Sequence, residues 1–595
     1  MFATVSRRER YESRTQVIFA LVASLAFGIS AGLCSMYIAT GTFSIQMFVS
    51  YFGNAYVLML NLLPPAILSV VFYLLFNRAV WSYVATTVAV IIPTTVHYFK
   101  LNLRGDPLLF ADLSLVGETA KMLETYELFI DLRLGIYIGI FVLSTVALIF
   151  VKGRFKRIAP RLISAVCILL ASLFLTPLYT SDEIYTVKAS NTALINPWSD
   201  THQYISKGFV YPFLHSVKTA FSPAPDSYSK SEAEEILAQY EDEVIPNDKK
   251  VDIVCVMLEA FNDFSRFEEL SFNKDIYEKY HLLESIGVSG NLITDIFAGD
   301  TRVSEREFLT GLPYARLDDF NKKSNSYMWY LRENGYQVTG AHPSYGWFYN
   351  RENINKNLGF ESYLFSENYF KEITEVDITY DYKFFQLFHE LYATRDKSRP
   401  YFSYALTYQG HGPYETDVEN YDGLIVQSPE GISLESERIM NNYLHSISST
   451  VEHLYNFVIN MYWQSDPVVL VFFGDHKPYL GADGEVYTDY GINLDTSTAD
   501  GFENYYGTRY IIIANDAAKE ITGNAFLGEG ETISASFLMN KVFELCGYKG
   551  NAYMQFTSDI MSRTPVIHRT ADLSYGDARL FDCVSYYYRK NFIYN

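Results

Sequence analysis

Cysteine is scarce: 5 residues in 595, with Cys34 and Cys167 inside long apolar runs and only Cys255, Cys546 and Cys583 beyond them. Three thiols spread over the rest of the chain build no disulfide framework, so that part must fold on its core. Charge is sparse, at 19% of residues, and positive charge is the scarcer sign, with 47 Lys+Arg against 68 Asp+Glu. The imbalance is uneven. Residues 1–179 hold 14 Lys+Arg and 8 Asp+Glu, and the remainder 33 and 60. A surface that acidic excludes broad binding of nucleic acid or another polyanion, and an anionic substrate must be met locally, by a metal or a few fixed cations. The sequence has neither an internal repeat nor a nucleotide-binding glycine motif. At this length one core does not suffice, and two or more domains are expected.

Apolar residues, by contrast, make up 49% of the chain. Five runs, Val17–Ile38, Ala55–Phe76, Ala79–Tyr98, Leu134–Val151 and Leu162–Tyr179, each come close to the ~20 residues that a helix needs to cross a bilayer. Pro64 and Pro65 fall inside the second, where a kink is expected. The first run is long and followed by others, which makes it a span and not a cleaved signal peptide. Basic residues cluster at Arg7, Arg8, Arg10 and Arg14 and again at Lys152, Arg154, Lys156, Arg157 and Arg161. This asymmetry places the N-terminus in the cytoplasm and, after five crossings, everything beyond Tyr179 outside the cell. The expected organisation is therefore a transmembrane domain over 1–179, a connector over 180–250 and an extracellular domain over 251–595. In the connector, Ser231 and Glu234 have capping-box spacing ahead of a short helix. Arg104 and Asp106 fall in an outer loop able to meet lipid head groups or the outer domain. The Tyr-rich end, Val584–Asn595, is expected to pack as a tail on that domain.

From Val251 the pattern becomes that of strands buried on both faces. "VDIVCVMLE", "YQVTGAH", "YFSYALTYQGHGPY", "DPVVLVFFGDH" and "TRYIIIAND" are apolar runs without helical period, separated by helical stretches such as Tyr327–Asn334 and Glu437–Tyr462. The alternation predicts an α/β domain with a mostly parallel sheet, whose chemistry lies beyond the carboxyl ends of the strands. A strand-like piece in "DIFAGD" is expected to lead to Thr301. Four strand ends carry unusual residues: Glu259, Thr301, His411, and Asp475 with His476. Taken singly they read as caps and turns; Thr301 in particular stands where it would cap the helix that follows. Together they supply two carboxylates, an imidazole and a hydroxyl, a mixed oxygen/nitrogen set suited to Mn²⁺, Mg²⁺ or Zn²⁺. A threonine in such a set is a usable nucleophile.

The chain resembles the lipoteichoic acid synthase family of membrane phosphoglycerol transferases, within the alkaline phosphatase/sulfatase superfamily. "VMLEAF", "GDTRVSEREFLTG", "GAHPSYGWFYNRENINKNLGF", "QGHGPY" and "FFGDHKPYLG" carry the resemblance in order and spacing, over essentially the whole chain. It implies five membrane helices and a sulfatase-like extracellular domain. It also implies a divalent cation, usually Mn²⁺, on Glu259, Asp475 and His476, with Thr301 as nucleophile and fourth ligand. His342, Tyr349, Arg351 and His411 match positions that line the family's substrate pocket, and His411 is a candidate acid for the departing oxygen. The implied activity moves glycerophosphate from phosphatidylglycerol, through a phospho-threonine, to lipoteichoic acid or another glycolipid or glycopolymer acceptor at the cell membrane. Two positions depart from the family. Asp300 stands where members often carry Lys or Arg, with Arg302 just after the threonine, and "GDHKPYLG" replaces the "GDHYG" ending of the synthases. The alternatives are a phosphoethanolamine transferase or another hydrolase of the superfamily, and a non-catalytic protein that binds lipid head groups. "TRVSE" lacks the C/S-x-P-x-R pattern of arylsulfatases, which argues against sulfate-ester hydrolysis.

Overall fold

The computed structural model describes the chain apart from residues 1–12, 41–44, 105–106, 116–131, 192–199, 221–223, 227, 318–319, 415, 417–422, 482–483 and 595. Asp106 and the side chain of Arg104 lie outside the described residues. The chain divides into two units, Met1–Pro223 with Trp347–Asn350, and Ala224–Gly346 with Arg351–Asn595.

In the first unit the five apolar runs are helices long and apolar enough to cross a membrane: Arg14–Ala39, Ala55–Phe76, Ala79–Leu101, Leu132–Ile149 and Ile158–Thr180. Lipid gives no hydrophobic advantage to helix association, so close packing and interhelical hydrogen bonds must supply it. Both are present. A Cβ on Gly28 would sit 2.4 Å from Ser69 Oγ, so the first two helices approach where a side chain is missing. Ser35 and Thr94 share a hydroxyl hydrogen bond of 2.7 Å between the first and third.

The second unit is built on a nine-stranded sheet of order β4-β3-β5-β1-β6-β7-β2-β8, with β9 also on β2. The strands are β1 Asp252–Leu258, β2 Val288–Ile293, β3 Gln337–Ala341, β4 Ser362–Leu364, β5 Tyr401–Leu406, β6 Val468–Gly474, β7 Gly507–Ala514, β8 Gly528–Glu529 and β9 Ile533–Ser534. Every residue of β1, β5 and β6 is buried. The reason is the period-2 alternation of a pleated strand. Ile253, Cys255 and Met257 enter one core and Val254, Val256 and Leu258 the other, as do alternate residues of β6.

All pairings are parallel except those of β7, which is antiparallel to both β6 and β2. Two reversals cancel, so β2 runs in the same direction as β1, β3, β5 and β6. The ends of β1, β2, β3, β5 and β6 therefore reach one edge, the edge that carries the site. Two expectations are corrected. The strand before Thr301 is Val288–Ile293, and "DIFAGD" is the loop after it, since a turn with left-handed residues cannot pair in a ladder. The connector helix runs Lys230–Leu237 with Ser229 as its cap, two residues before Ser231, because the Ser229 hydroxyl is the one that accepts the Glu232 N–H.

Candidate functional site

Thr301 opens the helix Arg302–Thr310, yet its hydroxyl makes no capping hydrogen bond. It turns the other way. Thr301 Oγ1 lies 3.5 and 3.4 Å from the two carboxylate oxygens of Glu259 and 3.3 Å from His476 Nε2. His476 Nε2 is in turn 3.2 Å from Asp475 Oδ2 and 3.9 Å from Glu259 Oε1. All four residues are buried.

Backbone groups fix each of them. Asp475 Oδ1 accepts the Ala260 and His476 N–H groups at 2.7 and 2.9 Å. Asp475 Oδ2 is buried with no hydrogen-bond partner. His476 Nδ1 faces the Lys477 carbonyl at 2.8 Å. A carbonyl only accepts, so Nδ1 carries the proton and Nε2 presents a lone pair. Ser304 Oγ donates to the Asp475 carbonyl at 2.6 Å, tying the Thr301 helix to the end of β6. Two motif glycines allow the loops to close: a Cβ on Gly410 would lie 1.9 Å from the Glu259 carbonyl oxygen, and one on Gly474 2.2 Å from that of Phe261.

Glu259, Asp475 and His476 offer three ligand atoms within 4.8 Å of one another. The residues fit a divalent cation. Burial, then the neighbouring Asp475 charge, pushes the Glu259 carboxyl up to about 8, Asp475 Oδ2 is left without a donor, and an imidazole lone pair points between them. A cation is what two buried carboxylates in that state lack. A second group of ligand types, Asp263, His281 and Glu284, is different. Arg266 bonds both carboxylates at 2.9 Å, and Arg509 bonds Glu284 at 2.5 Å, so that network already holds its own cations.

The remaining predicted residues gather at the same strand ends, with one exception. His342 follows β3, is buried, and points Nδ1 at the Leu406 carbonyl at 3.1 Å, which leaves an Nε2 lone pair. Burial first, and then the Arg351 charge, hold its pKa well below the ordinary value. His411, in the loop after β5, stacks on Tyr408 with ring centroids 4.8 Å apart and bonds Nδ1 to the Gly412 carbonyl. Burial lowers its pKa as well. Arg351 is buried and donates Nε to Glu305 Oε2 at 2.8 Å. Tyr349 belongs to the turn Phe348–Asn350, which groups with the first unit, and its ring packs on Phe348 with left-handed backbone at φ 54°. Asp300 beside the nucleophile position is bonded by Arg302 Nε at 2.5 Å, which answers the extra negative charge there.

Sequence reasoning missed Glu305, the buried partner of Arg351, although its spacing four residues after Thr301 places both on one helix face. It also missed Thr407, whose hydroxyl accepts the Glu259 N–H at 3.0 Å, and Asp381. The Asp381 carboxylate takes the Thr450 hydroxyl at 2.6 Å and the Gln409 N–H at 3.4 Å and so anchors the His411 loop. Neither residue carries a local signal, since each acts across the sheet from another element.

Residues 252–548, about half of the chain, match the sulfatase family model, and the chain belongs to that family through this domain. A putative cyclic β-1,2-glucan modification protein of Rhizobium meliloti is 26% identical over 391 residues, 62% of this chain; the chain spans 57% of that relative's own length. Among solved structures, the Streptococcus pyogenes phosphoglycerol transferase GacH in complex with sn-glycerol-1-phosphate has a TM-score of 0.49 at 18% identity, over 62% of this chain and 94% of that one. The integral membrane lipooligosaccharide phosphoethanolamine transferase A of Neisseria meningitidis has a TM-score of 0.36 at 12% identity, over 90% of this chain and 95% of that one.

Proposed function

We propose that the protein is a membrane-anchored phosphoglycerol transferase, with the outer domain facing the extracellular side and Thr301 as nucleophile. One observation carries the reading: the Thr301 hydroxyl forgoes its helix and lies against both oxygens of the Glu259 carboxylate and an imidazole lone pair. Glu259, Asp475, His476 and Thr301 would hold a divalent cation, Mn²⁺ in keeping with the family resemblance, and when bound it supplies positive charge to a phosphoryl group and lowers the threonine pKa. Thr301 Oγ attacks the phosphorus of phosphatidylglycerol, the bond to the diacylglycerol oxygen breaks, and glycerophosphate stays on the threonine as a phosphodiester. An acceptor hydroxyl then attacks the same phosphorus and releases Thr301. Each half moves one proton from the attacking to the departing oxygen. His411, neutral because burial lowers its pKa, takes that proton at Nε2 before returning it. The lone pair of His342 suits a hydroxyl hydrogen of the glycerol moiety, and Arg351, held by Glu305, supplies donors for phosphate oxygens. The name of the Rhizobium relative makes a glycan hydroxyl the acceptor class to try first.

The experiment is to supply the purified chain and Mn²⁺ with labelled phosphatidylglycerol or phosphatidylethanolamine. Diacylglycerol release from the first, with a glycerophosphate mass on the Thr301 peptide when acceptor is withheld, is the expected result. Release from the second alone would make the protein a phosphoethanolamine transferase, and release from neither would end the reading.

A further inference from the structure

The turn that delivers Thr301 is strained. Ala298, Gly299 and Asp300 have successive positive φ angles of 57°, 146° and 61°. For a non-glycine residue such a conformation is strained and persists only where its surroundings over-determine it. Two acids bracket the turn. Asp295 stands before it and Glu307 lies in the helix after it, and both are buried. Asp295 Oδ1 accepts the Arg569 backbone N–H. It also lies 3.4 Å from His568 Nε2. His568 Nδ1 accepts the Thr570 N–H at 3.3 Å, which puts the imidazole proton on Nε2, an atom that completes no hydrogen bond. Glu307 has no such company: its Oε2 is buried without a hydrogen-bond partner, and no ion pair reaches it among the described residues. Its side chain meets that of Asp295, and burial with that neighbouring charge raises its pKa well above the carboxylate range. Two ionised carboxylates cannot bond each other, whereas a carboxylic acid and a carboxylate can.

We propose that Glu307 carries a proton which it donates to Asp295, and that this carboxyl–carboxylate bond holds the strained turn presenting Thr301. Both are positioning residues. The charged and titratable groups around the pair are His568, Arg569, Tyr314 and Tyr506. The Arg569 guanidinium lies over the rings of Tyr314 and Tyr506, 5.6 and 5.7 Å from their centres. The turnover arm of the test rests on the reading of Thr301 as nucleophile; the other two do not.

The test uses the full chain in detergent, with Glu307→Gln, Glu307→Ala and Asp295→Asn. With Mn²⁺ present to keep Glu259 ionised, the infrared difference spectrum at pH 8 of wild type minus Glu307→Gln should show a protonated-carboxyl band. Stability to urea should fall with rising pH more steeply in the wild type than in Glu307→Gln, whose amide keeps the donor and cannot ionise. With labelled phosphatidylglycerol, Glu307→Gln should keep kcat within about twofold and remain active at higher pH than the wild type. Glu307→Ala should lose about tenfold or more in kcat at unchanged KM, as expected for a displaced reacting group. If Glu307→Gln does not fold, Asp295→Asn decides, since removing the neighbouring charge should make the band titrate at a lower pH than in the wild type. A wild type without the band, or a band that neither substitution moves, overturns the proposal. A wild type with the band but no turnover overturns the functional reading and leaves the shared proton standing.

Discussion

At the scale of single residues, Thr301 and Glu259 make the clearest claims. Were Thr301 a cap, Thr301→Ala would cost about 1 kcal/mol of stability and leave chemistry intact in whatever folds. Its hydroxyl caps nothing, so Thr301→Ala is expected to unfold at nearly the wild-type urea midpoint while diacylglycerol release disappears. Glu259→Gln and Asp475→Asn are each expected to empty the metal site, measured as metal content after dialysis, because a lost anionic ligand in a site of this size has no substitute nearby. Glu259 also predicts a pH dependence. Its folded pKa, about 8, lies above the ordinary 4.5. The stability that the protonated form contributes is present below pH 4.5 and is lost as pH rises toward 8, on the order of a few kcal/mol. Metal-free protein should therefore lose stability over that window, and Mn²⁺ should flatten the loss, since a cation favours the ionised carboxylate. Urea titrations at several pH values, with and without metal, read both effects.

At the scale of elements, the site depends on loops that approach more closely than side chains permit. Gly410→Ala would place a methyl 1.9 Å from the Glu259 carbonyl oxygen. Backbone must move, at about 1–3 kcal/mol, and the end of β1 moves with it. The expected outcome is a lower urea midpoint together with weaker metal retention, whereas Gly423→Ala, an exposed loop position with nothing within 4 Å of the added atom, should leave metal retention alone. Strands were the most legible elements, because β1, β5 and β6 are apolar but for Asp252 and Ser403 and are followed by Glu, His and Asp. The turn at 295–300 was not legible. Its residues read as an apolar run, and only the left-handed backbone at Ala298 and Asp300 makes it a loop. The Ser229 cap was displaced by two residues from the expected Ser231, since three serines in one stretch offer the same local chemistry.

At the scale of the whole molecule, the basic clusters predict that a reporter fused after Asn247 is extracellular and one inserted in Lys152–Arg161 is cytoplasmic; finding both on one side would refute five crossings. The sequence by itself determined the five apolar helices, the change to an α/β pattern at Val251, and the residue types from which a cation site could be made. Those are consequences of composition and period, which a single chain displays without neighbours. Tertiary structure alone decided the rest. The direction of β7 is invisible in its apolar run, yet it is the double reversal through β7 that turns β2 parallel to β6 and brings Thr301 to the edge shared by Glu259 and Asp475. The pairing of Arg351 with Glu305 and of Gln409 with Asp381 joins residues that lie far apart along the chain. Such partners have no local signature: burial makes their charges costly, and the residue that relieves each one is set by which strand ends the sheet brings together.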